Sequence, residues 1–170
     1  MQFALRLVRK TMERALRKGE IHGVPDVVPE DMASIRTGIY VAAFENPGRK
    51  ARGRVGSHLP TKASLAEEII HQTVNLLQTF PFRKEDLPYL TYEILLTHPP
   101  SLLAALSALR SDAGLLVRTS RGASGISLPS AQVRTPEERL REACVNGGID
   151  QDTQDTRVYE FTVDVIREDV

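Results

Sequence analysis

The sequence predicts an α+β fold, a mostly antiparallel sheet with packed helices. Three observations carry that expectation. Apolar residues recur at helical spacing in three long stretches, near 3–18, 64–78 and 135–147. Segments 38–45 (GIYVAAFE), 90–97 (LTYEILLT) and 157–166 (RVYEFTVDVI) are β-branched, aromatic or alternating, as strands are. The order is helix, hairpin, helix, strand, short helix, hairpin, helix, strand, without internal repeat. That order places helices on one side or at the ends of antiparallel strands instead of between parallel ones.

The first helix, 3–18, sets Leu5, Val8, Met12, Ala15 and Leu16 on one face and arginines and lysines on the other, and should end near Gly19. Two prolines between Val24 and Glu30 predict an extended connector, because proline lacks the amide proton that a helix interior would use. Residues 38–56 read as a hairpin, turning at Asn46-Pro47-Gly48. Ser64-Leu65-Ala66-Glu67 has the capping-box pattern and starts the second helix, which Phe80-Pro81-Phe82 breaks. After the strand 90–97 and Pro99-Pro100, the apolar run 101–109 reads as a short helix. Residues 115–119 and 125–128 form a second hairpin. Thr135-Pro136-Glu137-Glu138 caps the third helix and Gly147-Gly148 stops it. The last strand, 157–166, alternates Val158, Glu160, Thr162 and Asp164 against Tyr159, Phe161, Val163 and Val165.

With 170 residues, the chain is the size of one ordinary domain, so a single domain over 1–170 is expected. Lysine and arginine number 22, as do aspartate and glutamate, so no overall positive field draws the molecule to nucleic acid or an anionic membrane; any such binding needs a local patch. No apolar run approaches the ~20 residues of a membrane span, and the first twenty residues do not form a secretory signal, so no membrane partner and a cytoplasmic location are expected. Cys144 is the only cysteine, which leaves neither an intramolecular disulfide nor a cysteine-based zinc cluster. The glycines make neither a dinucleotide fingerprint nor a Walker pattern.

The stretch ARGRVGSHLP, 51–60, is the candidate site. In an extended strand Lys50, Arg52 and Arg54 would project from one face, a cationic row suited to a carboxylate or phosphate. Gly53 and Gly56 would admit a close approach by a ligand or another backbone. Ser57 and His58 are adjacent and point to opposite sides, a poor geometry for a nucleophile and its base. His22, His58, His71 and His98 lack metal-ligand spacing, and no metal site or catalytic residue is assigned. Glu67 and Glu68 could line a pocket beside the signature, though the capping box already explains Glu67; Cys144, four residues after Leu140, reads as a small buried hydrophobe. Tyr159 and Phe161 read as core.

These segments in this order resemble the AMMECR domain family over essentially the full chain. The family signature, written L-R-G-C-I-G, stands here as Ala51-Arg52-Gly53-Arg54-Val55-Gly56, with GIYVAAFE before it and SLAEEII after it; EDLPYLTYEILLTHPP, GLLVRTSRGASGISLP and RVYEFTV resemble later family segments. Arg54 occupies the signature cysteine position, so chemistry needing that thiol does not carry over; Cys144 resembles the cysteine of the family's last helix. The resemblance implies a two-lobed fold related to the RAGNYA class of nucleic-acid, nucleotide and peptide binders. It also implies intracellular proteins of unsettled activity, often encoded beside Memo-like and radical-SAM proteins.

Three functional readings follow. The first is a binding domain for an anionic ligand or partner segment at Arg52, Gly53, Arg54, Gly56, Ser57 and His58, the ligand being a small molecule, a nucleotide or RNA. The second is an enzyme of nucleotide or RNA-base modification. The third is an interaction module for a Memo-like or radical-SAM partner. No cofactor is assigned.

Overall fold

The structure, a computed structural model, describes residues 2–129, 134–150 and 155–168. In chain order its elements are α1 (Gln2–Lys18), α2 (Glu30–Ser34), β1 (Ile39–Glu45), β2 (Lys50–Ser57), α3 (Leu65–Thr79), β3 (Leu90–Thr97), β4 (Ser101–Leu102), β5 (Gly114–Thr119), β6 (Ser124–Ser127), α4 (Pro136–Gly147), β7 (Thr156–Phe161) and β8 (Val163–Arg167). The α+β class predicted from the pattern is the one observed. The chain divides into two compact units, Met1–Thr97 with Asp164–Val170, and His98–Val163.

In the first unit the sheet order is β2-β1-β3-β8, with β1 antiparallel to both β2 and β3. Alternation along β1 sends Ile39, Val41 and Ala43 into one core with Leu7, Val8 and Met12 of α1 and Leu65, Ile69 and Leu76 of α3. The α1 stripe includes a buried Thr11, whose hydroxyl donates to the Leu7 carbonyl inside the helix. Arg9 fastens α1 to the chain's end: its guanidinium meets both Glu168 carboxylate oxygens, at 2.8 and 3.0 Å from Nη2, while Glu168 also accepts from the Tyr92 amide. α3 begins as its sequence demands, with the Ser64 hydroxyl accepting from the Glu67 amide at 3.3 Å; the Glu67 carboxylate turns to the Ala63 amide.

In the second unit the order is β4-β7-β5-β6, every described pairing antiparallel. Leu115 and Val117 of β5 pack on Ala143 and Cys144 of α4. The predicted capping box at Thr135 and Glu138 is present in both directions. Arg139, buried on α4, donates to the carbonyls of Arg110 and Ala113 and so closes the loop before β5.

Two local expectations change, and one short element is added. The run 101–109 is no helix: Ser101–Leu102 pairs with β7, the Leu103 amide donates to the Val158 carbonyl at 2.9 Å, and only Leu106–Ala108 makes a 3-10 turn. A nine-residue run after two prolines cannot repay helix nucleation when a neighbouring strand offers hydrogen bonds. The strand 157–166 is interrupted at Thr162, so its two halves, β7 and β8, belong to different sheets. Between Val24 and Ile39, the short α2 follows the connector and buries Met32.

Candidate functional site

The signature lies on β2, at the edge of its sheet. Register runs Ala43 opposite Gly53 and then Phe44 opposite Ala51, so Arg52 is the extra residue of a β-bulge. One inserted residue reverses the alternation, and the expected single cationic row is split. Arg54 sits opposite Ala42, which on its other side faces Glu93 of β3, so Arg54, Ala42 and Glu93 make a row across three strands. Lys50 falls opposite Glu45, on the other face.

Each signature arginine is met by carboxylates of its own unit. Arg52 Nη1 donates to Glu45 Oε2 at 2.8 Å, Nη2 lies 3.5 Å from Asp86 Oδ2, and the guanidinium sits over the Phe82 ring. Arg54 Nη2 reaches Glu93 Oε1 at 3.4 Å, and Arg49 Nη2 reaches Glu93 Oε2 at 2.6 Å. Glu93 is a charged residue 8% exposed, held in a strand by two cations. Arg49 takes a left-handed backbone, φ 50, which is costly outside glycine; the ion pair and the Phe44 ring, 4.2 Å below its guanidinium, compensate it. Two cations on one anion leave a surplus positive charge, carried by side chains that keep about a third of their surface open, 31% for Arg49 and 37% for Arg54.

The remaining candidates serve the hairpin's packing. A Cβ on Gly53 would stand 2.5 Å from the Phe80 ring, and one on Gly56 2.2 Å from the Ile39 carbonyl oxygen. The neighbours that the two glycines admit are therefore an aromatic ring and the adjoining strand. The Ser57 hydroxyl accepts from the Leu59 amide at 3.2 Å. The His58 carbonyl accepts from the Thr97 hydroxyl at 3.1 Å, and that hydroxyl also lies 2.9 Å from the Gly38 carbonyl. Below the hairpin, Glu68 is almost wholly buried and takes the amides of Thr61 and Lys62 at 2.6 and 2.8 Å, together with Gln72 Nε2 at 2.8 Å. Burial alone would raise its carboxyl, but these donors outweigh burial and hold it below the ordinary carboxylate range.

Sequence reasoning missed Arg49 and Glu93; Glu68, singled out as a residue that could line a pocket beside the signature, instead anchors the backbone of Thr61 and Lys62. The one legible signal was Glu93, a lone charge inside LTYEILLT; a charge buried within a strand needs a partner, but the partner's identity is a matter of register. Cys144 is buried in the second unit's core, and burial followed by the Asp150 charge pushes its thiol up, away from the reactive thiolate. Phe161 is buried and Tyr159 half-buried. Burial pushes the Tyr40 and Tyr92 phenols far up, keeping both as neutral hydroxyls. Among the described residues no cluster of three or more His, Cys, Asp or Glu is arranged to hold a metal ion, and no helix is long and apolar enough to cross a membrane.

Fold and hairpin together define a small α+β protein built on an Arg-Gly signature strand whose arginines lock to carboxylates of the same sheet. Residues 5–166 match the AMMECR1 family, and the chain belongs to it. It is similar to a Thermotoga maritima protein, 28% identical over 160 residues and covering 91% of each chain. A Thermococcus gammatolerans protein is 29% identical over 186 residues, covering 99% of this chain and 90% of its own. The crystal structure of uncharacterized protein PH0010 from Pyrococcus horikoshii superposes with a TM-score of 0.83 at 27% identity, covering 98% of this chain and 90% of that one. Neither the family match nor these relatives establishes a function.

Proposed function

We propose that this protein is a binding domain that receives an anionic group, carboxylate or phosphate, at Arg54 and Arg49 on the signature hairpin. The observation that carries the reading is the convergence of both guanidinium groups on Glu93, which leaves one positive charge in surplus on partly open, geometrically fixed forks. Arg54 stands where the family signature has cysteine, so at this position the chain offers hydrogen-bond donors in place of a nucleophile. Arg52 takes a supporting part, since Glu45 and Asp86 already neutralise it. Gly53, Gly56, Ser57 and His58 shape the strand that carries Arg54. Because β2 is the sheet edge, an acidic partner segment lying along it would reach the same arginines.

The test is a thermal-shift and calorimetric titration with pyrophosphate, citrate, nucleotides and short RNAs, using the wild type, Arg54→Gln and Glu93→Gln. Arg54→Gln keeps Glu93 paired to Arg49 and should weaken binding; Glu93→Gln removes the competing internal carboxylate and should strengthen it. Arg52→Gln should change affinity least. Anion affinity that falls in Glu93→Gln, or that is indifferent to Arg54→Gln, would overturn the reading.

A further inference from the structure

We propose that a second site, separate from the hairpin, lies between the connector after α1 and the outer face of α3, and that it takes an aliphatic monocarboxylate. A groove of about 440 Å³ opens there, within the ~300–1,000 Å³ range of small-ligand sites. Its walls are aliphatic: Ile21 and Val24 from the connector, Ile70 and Val74 from α3. Ile21 is 62% exposed and Val24 39% exposed, so the connector wall presents open apolar surface to the groove.

Both walls are held in place. On the connector side, His22 bridges outward and inward, Nδ1 lying 2.7 Å from the Gly23 carbonyl and Nε2 3.3 Å from the buried Thr11 hydroxyl. On the α3 side, the buried Glu68 carboxylate grips the Lys62 backbone amide, which delivers the Lys62 side chain to the groove. No ion pair involves that ammonium among the described residues.

The polar rim selects the class of ligand. His71 lines the groove together with Lys62, its ring held by Asn75, whose Nδ2 sits 3.3 Å from His71 Nε2 and 3.1 Å from Gln72 Oε1. Glu67 also lines the groove, its carboxylate engaged by the Ala63 amide. One lysine cation beside one carboxylate suits a singly charged ligand group and disfavours a phosphate dianion, whose second charge no cation of the lining answers. The aliphatic walls then receive the ligand's hydrocarbon body.

Octanoate is the probe, titrated calorimetrically into the full chain, with octan-1-ol as its uncharged counterpart. Octanoate should bind saturably at one site per chain and more tightly than octanol. Lys62→Met should weaken octanoate by about tenfold, the lower end of what a charge-assisted hydrogen bond contributes, and leave octanol unchanged. Val74→Phe should block both. Gly23→Leu, at a position where an added Cβ meets nothing within 4 Å, repeats the blockade if the first variant fails to fold. Arg54→Gln should leave octanoate binding intact, so failure here and failure at the hairpin are distinguishable. Octanoate that does not saturate, binds no better than octanol, or ignores Lys62→Met or a folded groove-filling variant overturns the proposal.

Discussion

Glu68→Gln should cost the protein about 2–4 kcal/mol at neutral pH, because a carboxylate built to accept is replaced by a group that is half donor. In the native chain Glu68 Oε2 accepts from the Thr61 and Lys62 amides, Oε1 from Gln72 Nε2, and the Thr61 hydroxyl lies within 3.1 Å of both oxygens. A glutamine can point its single oxygen at the two amides, but its NH2 then faces the NH2 of Gln72. Turning Gln72 around does not rescue the contact, since its Oε1 already accepts from Asn75. The charge-assisted bonds from the two amides and the Thr61 hydroxyl become neutral ones at best, and the bond from Gln72 is lost. The pH dependence has a definite sign: the folded carboxyl lies below its ordinary value of 4.5, so its stabilisation is complete above the unfolded value and is lost as pH falls through the folded one. Urea unfolding of wild type and variant at about pH 7 and about pH 4 should therefore show a gap that narrows in acid. Other carboxylates titrate equally in both chains and cancel. Hydrogen exchange should quicken first at the Thr61 and Lys62 amides. A gap independent of pH, or unchanged exchange at those amides, would falsify the assignment of Glu68 as the anchor of the loop after the signature.

The signature glycines should differ in tolerance. Gly53→Ala presses on the Phe80 ring, which can turn aside, and should cost about 1–3 kcal/mol in thermal unfolding, as overpacking does; Gly56→Ala drives a Cβ into the Ile39 carbonyl and the Tyr40 backbone, which cannot, and should be clearly the more damaging of the two. Cys144, buried with its thiol pushed up, should resist alkylation in the native protein and react fully once denatured; rapid native labelling would contradict its place in the second core.

Much of the fold was legible because it rests on local chemistry. The stripe of Leu5, Val8 and Met12, the serine before α3 and the Thr135–Glu138 box each act within a turn or two of helix, and each stands in the structure where its spacing placed it. The two hairpins were legible for the same reason, their turn residues lying beside the strands they join. Where the reading depended on a partner far along the chain, it went differently. Residues 101–109 have the composition of a helix and became an edge strand and a 3-10 turn because β7 supplied hydrogen bonds.

At the site the division is sharper. By itself the sequence determined that a basic, glycine-bearing hairpin occupies residues 38–56, that its signature cysteine position holds an arginine, and that no thiol chemistry can start there. Only the tertiary structure decided which way those arginines point and what they meet. The bulge at Arg52 reverses the alternation, and β3, arriving about forty residues later, brings Glu93 level with Arg54 and within reach of Arg49. Charge is a property of composition, whereas its neutralisation depends on register across strands, which is set only when the hydrophobic faces of β1, β2 and β3 are buried together.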